Sequence, residues 1–404
     1  MSTSLLYHAF GIREYKYVRT EYNEGHTIFT IKKDRFSLRC PCCHGKNLIK
    51  HGSSLRWFHA LPVGGRATYI KAYIPKVECK DCHTNRQIKI GFADSRLTFT
   101  RALGRYVLGL SRFMTIKDIS THLQLSWDIV KTIQKRYLKK RYTKLNLKEL
   151  EQIAIDEINI GKGRYLTVLL NLKTGAVIFV GDGKGSDALV PFWEKIKRKR
   201  SVKIKAVAVD MSPAYTKAVR ENLPKATIVY DHFHVIKLFN EKLSNFRRLL
   251  FNTTAHSLGK TALKGSRWLL LTARESLALR PDKMTKLESA LSLNKPLSTS
   301  YYMKEDLRQL WGWDDKATAS WHMDSWISMA KESGISMLIK FAKTLAKHKE
   351  GILAFYDYRI STGPLEGTNN KIKTMKRQAY GFRDYEFFKL KIMALHETKY
   401  ALVG

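Results

Sequence analysis

Between Gln152 and Phe239 the chain carries a succession of apolar segments whose order leaves few ways to fold. Gln152 to Ile158 reads as a strand, and Arg164 to Asn171 and Ala176 to Val180 read as two more, reversed at Lys173-Thr174-Gly175. Ser186 opens a helix through Leu189, Phe192, Trp193 and Ile196. A fourth strand, Ile204 to Val209, leads into Ser212-Pro213, a cap followed by a first-turn proline. A fifth, Ala226 to Tyr230, precedes a long amphipathic helix through Val235, Leu238 and Phe239. Three meandering strands and then two right-handed βα crossovers predict one mixed sheet covered by helices.

That order is the one of a ribonuclease-H-like α/β core, and it places two aspartates close together. Asp156 follows Ile153-Ala154-Ile155 inside strand one, where an acid is costly to bury without a cation beside it. Asp210 ends strand four directly after Ala206-Val207-Ala208-Val209. Strands one and four are neighbours in such a sheet, so the carboxylates converge and repel unless a divalent cation neutralises both. Glu366 falls in the first turn of a helix opened by Gly363-Pro364, where glutamate also serves as a capping or dipole partner. Asn370, Lys373 and Arg377 continue its face as a polar and basic stripe suited to DNA, while Leu365, Ile372, Met375 and Ala379 face inward. Glu157 points away from Asp156 by strand alternation. Asp231 and His234, just after strand five, are auxiliary candidates: a further ligand, an orienting hydrogen bond or a satisfied structural network.

All five cysteines lie between positions 40 and 82, which suits a local metal site in a reducing compartment better than a disulfide framework. Cys40, Cys43, Cys79 and Cys82 form two Cys-x-x-Cys knuckles able to surround a structural Zn2+. Cys42 is extra, His44, His51 and His83 are alternative ligands, and reduced cysteines in a small core are the plain alternative. Residues 1–95 otherwise read as short β segments, with a reversal at Val63-Gly64-Gly65-Arg66.

Lys and Arg outnumber Asp and Glu by 72 to 35, and a net charge of +37 calls for a polyanionic partner, nucleic acid before a membrane surface. After Thr98 the spacing turns helical. Ile116, Ile119 and Leu123 line one short helix, Gln124-Leu125-Ser126 turns, and a second helix points Ile129, Val130 and Ile133 inward. This predicts a helix-turn-helix whose outward Trp127, Lys131, Lys135, Arg136 and Lys139 contact DNA, although any three-helix bundle shares the pattern. Lys195, Lys197, Arg198, Lys199 and Arg200 are phosphate contacts or a solvated helix end. No run approaches a membrane span and no leader pattern opens the chain, so a soluble, cytoplasmic protein is expected.

With these residues in place the chain resembles the DDE-type insertion-sequence transposases that carry an amino-terminal zinc ribbon. The resemblance rests on Cys40-Pro41-x-Cys43, Leu61-Pro62-Val63-Gly64-Gly65, Cys79-x-x-Cys82 and Ile155-Asp156-Glu157. It continues through Val209-Asp210-Met211-x-x-Ala214-Tyr215, Asp231-x-Phe233-His234-Val235 and Gly363-x-x-Glu366-Gly367-x-Asn369-Asn370-x-Ile372-Lys373. It implies that Asp156, Asp210 and Glu366 form a catalytic triad holding Mg2+ or Mn2+ for DNA cleavage and joining. It further implies that the front modules recognise terminal inverted repeats; the expected partners are double-stranded DNA, both element ends and target, and further copies of the chain in a synaptic complex, with the protein bacterial and nucleoid-associated. The chain departs from the family at Asn171, often an acid there, and in the additional Cys42.

The expected architecture is multidomain α+β. It comprises an N-terminal zinc-ribbon β module (1–95), a helix-turn-helix module (96–148) and a ribonuclease-H-like core (149–245 and 359–404) interrupted by a helical insertion (246–358). The competing functions are a catalytically inactive DNA-binding regulator and a structure-specific nuclease without strand transfer.

Overall fold

The computed structural model describes residues 3–142, 147, 149–198, 202–254 and 257–396. They belong to two compact units, Met1–Lys144 with Met375–Gly404, and Leu145–Thr374. No helix among the described residues is long and apolar enough to cross a membrane.

The first unit opens with α1 (Thr3–Phe10), β1 (Tyr15–Asn23), β2 (His26–Lys33), β3 (Leu48–Val63), β4 (Arg66–Cys79) and β5 (Asn85–Gln87). The sheet runs β1-β2-β4-β3, with β5 added to β4. Where the composition suggested short segments, β3 and β4 are 16 and 14 residues long. Val63 pairs with Arg66 across Gly64 and Gly65, whose φ of 57° and 75° give the two left-handed residues that a two-residue hairpin turn requires. Alternation turns Phe58, Ile70, Ala72 and Ile74 inward, where Leu6 and Phe10 of α1 pack on them.

Next come α2 (Arg101–Leu110), α3 (Ile116–His122) and α4 (Trp127–Tyr142). Thr115 and Asp118 cap α3 reciprocally. Gln124 turns the chain with φ 52°, and the Ser126 hydroxyl accepts the Ile129 N–H at 3.3 Å to start α4. Ile116, Ile119, Leu123, Val130 and Ile133 share one buried cluster.

The second unit contains β6 (Gln152–Gly161), β7 (Arg164–Asn171), β8 (Val177–Asp182), α5 (Val190–Lys197), β9 (Ala206–Val209), α6 (Pro213–Asn222), β10 (Thr227–Tyr230) and α7 (His232–Thr253). Its sheet order is β10-β9-β6-β7-β8. The meander β6-β7-β8 is antiparallel, whereas β9 runs parallel to β6 and β10 parallel to β9. Eight short and long helices follow: α8 (Ser257–Leu263), α9 (Arg267–Leu271), α10 (Arg274–Ala278), α11 (Pro281–Ser292), α12 (Lys295–Gln309), α13 (Lys316–Glu332), α14 (Ser336–Leu353) and α15 (Phe355–Tyr358).

This helical stretch is not a lobe with its own core. Ile153, Val207 and Tyr230 of the sheet belong to the same buried cluster as Trp326 and Phe341. Phe239 of α7 joins them, its ring 6.0 Å from that of Trp326 and 4.9 Å from that of Phe341. α14 also approaches β10 so closely that a Cβ on Gly351 would stand 2.5 Å from the Tyr230 ring, and in this way it covers the sheet's edge strand.

After these come α16 (Gly363–Gln378) and α17 (Tyr385–Met393). The sequence assigns Tyr385 to Tyr400 to the catalytic core, but the described part of this helix packs in the first unit. Phe387 and Ala394 are buried in one cluster with Leu103, Ile119 and Ile133. The reason is charge as well as burial, because Asp384 and Glu386 at its start meet lysines of α4.

Candidate functional site

The middle of β6 and the end of its parallel neighbour β9 build the carboxylate site, Asp156 pairing with Val168 inside β6 and Asp210 directly following Val209. β6 and β9 pair in register, Ile153 with Val207 and Ala154 with Ala208. Asp156 and Asp210 each stand two residues beyond the last of these pairs, at the same level on neighbouring strands. β10 pairs Tyr230 with Val209, and the Asp231 N–H donates to the Val209 carbonyl at 3.1 Å. Asp231 thereby reaches the same carboxyl-terminal edge, the place where parallel sheets gather ligand-binding groups.

Burial pushes Asp156 up from 3.8 to about 6; the His234 imidazole acts against this rise, and the charges of Glu157 and Asp210 add to it. Its Oδ1 accepts the Glu157 N–H and its Oδ2 accepts the Asn369 amide, both at 2.8 Å. Asp210 Oδ1 accepts the Ser212 N–H at 3.0 Å, at the bend into α6. Asp231 is 2% exposed and accepts the Thr362 hydroxyl at 2.8 Å. His232 Nδ1 and His234 Nε2 lie 3.5 and 3.9 Å from its carboxylate. Glu157 faces the other way, where its charge adds to the burial that raises the Tyr215 phenol.

Glu366 is exposed in the first turn of α16. The residue that touches the sheet is Asn369, three positions on and so on a neighbouring strip of the helix. Thr362 to Asp231 and Asn369 to Asp156 are therefore two ties between the start of α16 and the sheet. Among the described residues, the side chains gathered closely enough to hold a metal ion as they stand are the four cysteines, not these carboxylates. Asp156 and Asp210 are brought side by side, and Glu366 stands about one helical turn from the contact. Asn369 entered the sequence argument only inside a motif; its spacing from Glu366 was the available signal, while Thr362 had none.

The donor set suits a hard divalent cation. Among the described residues, Asp231 Oδ1 and Asn369 Oδ1 are buried oxygens without a hydrogen-bond partner, Asp231 Oδ1 having only the His232 imidazole 3.5 Å away, and they stand beside a carboxylate whose pKa burial raises to about 6. Oxygen acceptors lacking donors are what Mg2+ or Mn2+ satisfies.

In the first unit the cysteines form a tighter cluster. Cys40 and Cys82 sulfurs are 3.6 Å apart, Cys43 and Cys79 sulfurs 3.5 Å, and all four ligand atoms lie within 4.8 Å of one another. A zinc tetrahedron with Zn–S near 2.3 Å has edges of about 3.8 Å, so the four sulfurs fit structural Zn2+. The two knuckles share a design: His44 and His83, each just after the second cysteine, take φ of 63° and 53°. A side chain on Gly45 would strike the Asp81 carboxylate of the other knuckle. Hydrogen bonding at Thr84 pulls Cys82 down to about 6, toward the thiolate that binds metal. Cys42 is exposed and outside the cluster, and His51 pairs with Glu78 at 2.7 Å. The four outer cysteines are thus the ones the fold gathers.

The basic candidates divide. Trp127 is exposed, with Lys131 5.2 Å over its ring. Lys131, Lys135 and Lys139 meet Asp384 or Glu386, and Arg136 meets Asp94 at 3.3 Å. Asn370, Lys373 and Arg377 are exposed along α16, as are Lys195, Lys197 and Arg198 at the end of α5; Lys199 and Arg200 lie outside the described residues.

Comparison with known proteins adds two family matches and a set of relatives. A family profile described as Transposase, of the ISL3 DDE type, matches residues 153–392. A second, described as the zinc-finger of transposase IS204/IS1001/IS1096/IS1165, matches residues 37–82, which hold all four clustered cysteines. The chain is 30% identical over 393 residues to the transposase for insertion sequence element IS1001 of Bordetella parapertussis, covering 95% of this chain and 96% of that one. It is 27% identical over 372 residues to the transposase for insertion sequence element IS1557 of Mycobacterium tuberculosis, covering 85% and 82%.

Proposed function

We propose a reaction on one premise: the chain belongs to the DDE transposase family that its residues 153–392 match. It is an enzyme of DNA cleavage and strand transfer, and its relatives are transposases for insertion sequence elements. Its second unit is a ribonuclease-H-like core, and Asp156, Asp210 and Glu366 are its catalytic carboxylates. The observation that carries this assignment is the matched height of Asp156 and Asp210 on neighbouring parallel strands, with α16 tied to Asp156 through Asn369.

Asp156, Asp210 and Glu366 would hold Mg2+ or Mn2+, with Asp231 and His234 as auxiliary groups. When bound, such ions activate a water or 3′-hydroxyl and stabilise the leaving oxygen of an in-line displacement. The chain's own part is positioning. Asn369 aims one oxygen of Asp156, and the Glu157 N–H holds the other. Thr362 fixes Asp231 while leaving its second oxygen available. Exposed Glu366 stands on the solvent side, where DNA arrives, and Asn370, Lys373 and Arg377 continue along α16 as backbone contacts. Four sulfurs leave zinc no open position, so the cysteine cluster is structural. The zinc ribbon and helix-turn-helix would bind the element's terminal inverted repeats, and a homo-oligomer would bring two ends together.

Asp156→Asn protein should bind element-end DNA as wild type does while losing magnesium-dependent nicking. Retained nicking would remove Asp156 from the chemistry. A joining reaction with pre-cut ends separates strand transfer from simple hydrolysis.

A further inference from the structure

α4 has two basic faces with different neighbours. On one, Lys131 and Lys135 approach Asp384 at 3.1 and 2.9 Å, and Lys135 and Lys139 approach Glu386 at 2.7 and 2.8 Å. Asp384 also caps α17 by accepting the Phe387 N–H at 3.0 Å. Three lysines on this face of α4 thus meet two carboxylates of the same chain, and a phosphate arriving there displaces a carboxylate before it gains a contact.

The other face lines a groove of about 770 Å³ between α2 and α4. Arg101 and Arg105 reach it from α2, and Arg136 and Lys140 from α4, while Lys139 sits on the border of the two faces because it also meets Glu386; among the lining residues Asp94 is the carboxylate. Asp94 lies 2.8 Å from Arg101 Nε and 3.3 Å from Arg136 Nη2, which ties the two walls together. Arg105 and Lys140 have no counter-ion among the described residues. On each wall the cations are four residues apart, Arg101 with Arg105 and Arg136 with Lys140, about 6 Å along a helix axis. The floor includes Phe99, Leu108 and Ile133, a low-dielectric base that strengthens the field of the rim.

We propose that this α2/α4 groove, and not the lysine face of α4, grips the phosphodiester backbone of duplex DNA. The assignment rests on the transposase reading and deepens it by relocating the phosphate contacts of the helical module. Two rails of cations with one carboxylate between them complement a polyanion, and Asp94 fixes the position of one wall against the other before any ligand binds.

The test is binding of a fluorescent element-end duplex by the full-length, zinc-loaded protein across a salt series. Arg105→Gln with Lys140→Gln should weaken binding roughly tenfold or more at low salt and flatten the log K against log salt slope by ~1.8, two phosphate contacts' worth. Lys131→Gln with Asp384→Asn removes both members of an ion pair and should leave the slope as in wild type. Circular dichroism checks that both variants fold; single Arg105→Gln, at an exposed position, serves if the double variant does not. If the wild type binds the duplex and the groove variants match it, the groove assignment falls while the transposase reading stands. If the Lys131 variant loses the slope instead, the phosphates lie on the lysine face and the assignment is overturned. A wild type that binds no DNA at any salt overturns both.

Discussion

The cysteine cluster and the carboxylate site are prepared for metal to very different degrees. Four sulfurs from two knuckles stand within 4.8 Å of one another, close to the edges of the tetrahedron zinc would impose. At the sheet ends Asp156 and Asp210 are neighbours, yet Glu366 keeps apart on α16 and two buried oxygens wait without donors. The contrast follows from how each is built. A knuckle positions its ligands within a few residues of chain, so local turns do most of the work. The carboxylates come from segments joined only by long-range contacts, the tie from Asn369 to Asp156 bridging 213 residues. A structural ion is enclosed by the fold, whereas a catalytic ion needs open positions that substrate can fill.

The sharpest way to break this comparison is to remove one sulfur. Cys79→Ser should abolish stoichiometric zinc by metal analysis and unfold the ribbon, since structural zinc in small domains contributes on the order of 10 kcal/mol. The second unit should keep its own melting transition; its loss too would show that the sulfur cluster stabilises more than the ribbon around it.

The carboxylate site predicts a smaller effect with a definite sign. Burial raises Asp156 from 3.8 in the unfolded chain to about 6 in the folded one, so the folded state binds this proton more tightly. Its contribution to metal-free stability is therefore greatest below pH ~4, declines as pH rises toward ~6 and then levels off, by about 3 kcal/mol in all. Asp156→Asn should lack that decline, so the melting-temperature difference from wild type grows across this window. Parallel curves for the two proteins would show that Asp156 is not buried in this way.

The smallest effect belongs to the extra cysteine. Cys42→Ser should keep one zinc per chain and shift stability by no more than about 0.5 kcal/mol, as for an exposed surface position. Lost zinc would place Cys42 among the ligands.

Much of the sheet was legible because its strands are short apolar runs closed by turn residues. Arg164 to Asn171 is observed as read, and the third strand is shifted only to Val177–Asp182. The start of α16 was legible from Gly363-Pro364. The partners of these elements were not. Nothing local in Asp384 or Glu386 announces the lysines of α4, and nothing in Thr362 announces Asp231. Periodicity reports which face of an element is apolar, but it does not say which distant face will cover it. The same gap explains why the helical stretch after α7 looked separable, although its rings continue the core beneath the sheet.

One contact changes what counts as a self-sufficient fragment. The first unit closes only when Lys135 meets Asp384, 249 residues downstream, and when Phe387 and Ala394 enter its helical cluster. During synthesis the ribosome must therefore pass residue 394 before α2, α3 and α4 gain their last partner. A truncation at residue 144 would leave that cluster uncapped and its lysines unmatched, so the excised amino-terminal segment would be an unfinished object; grafting 375–396 onto it by a short linker is the way to complete it.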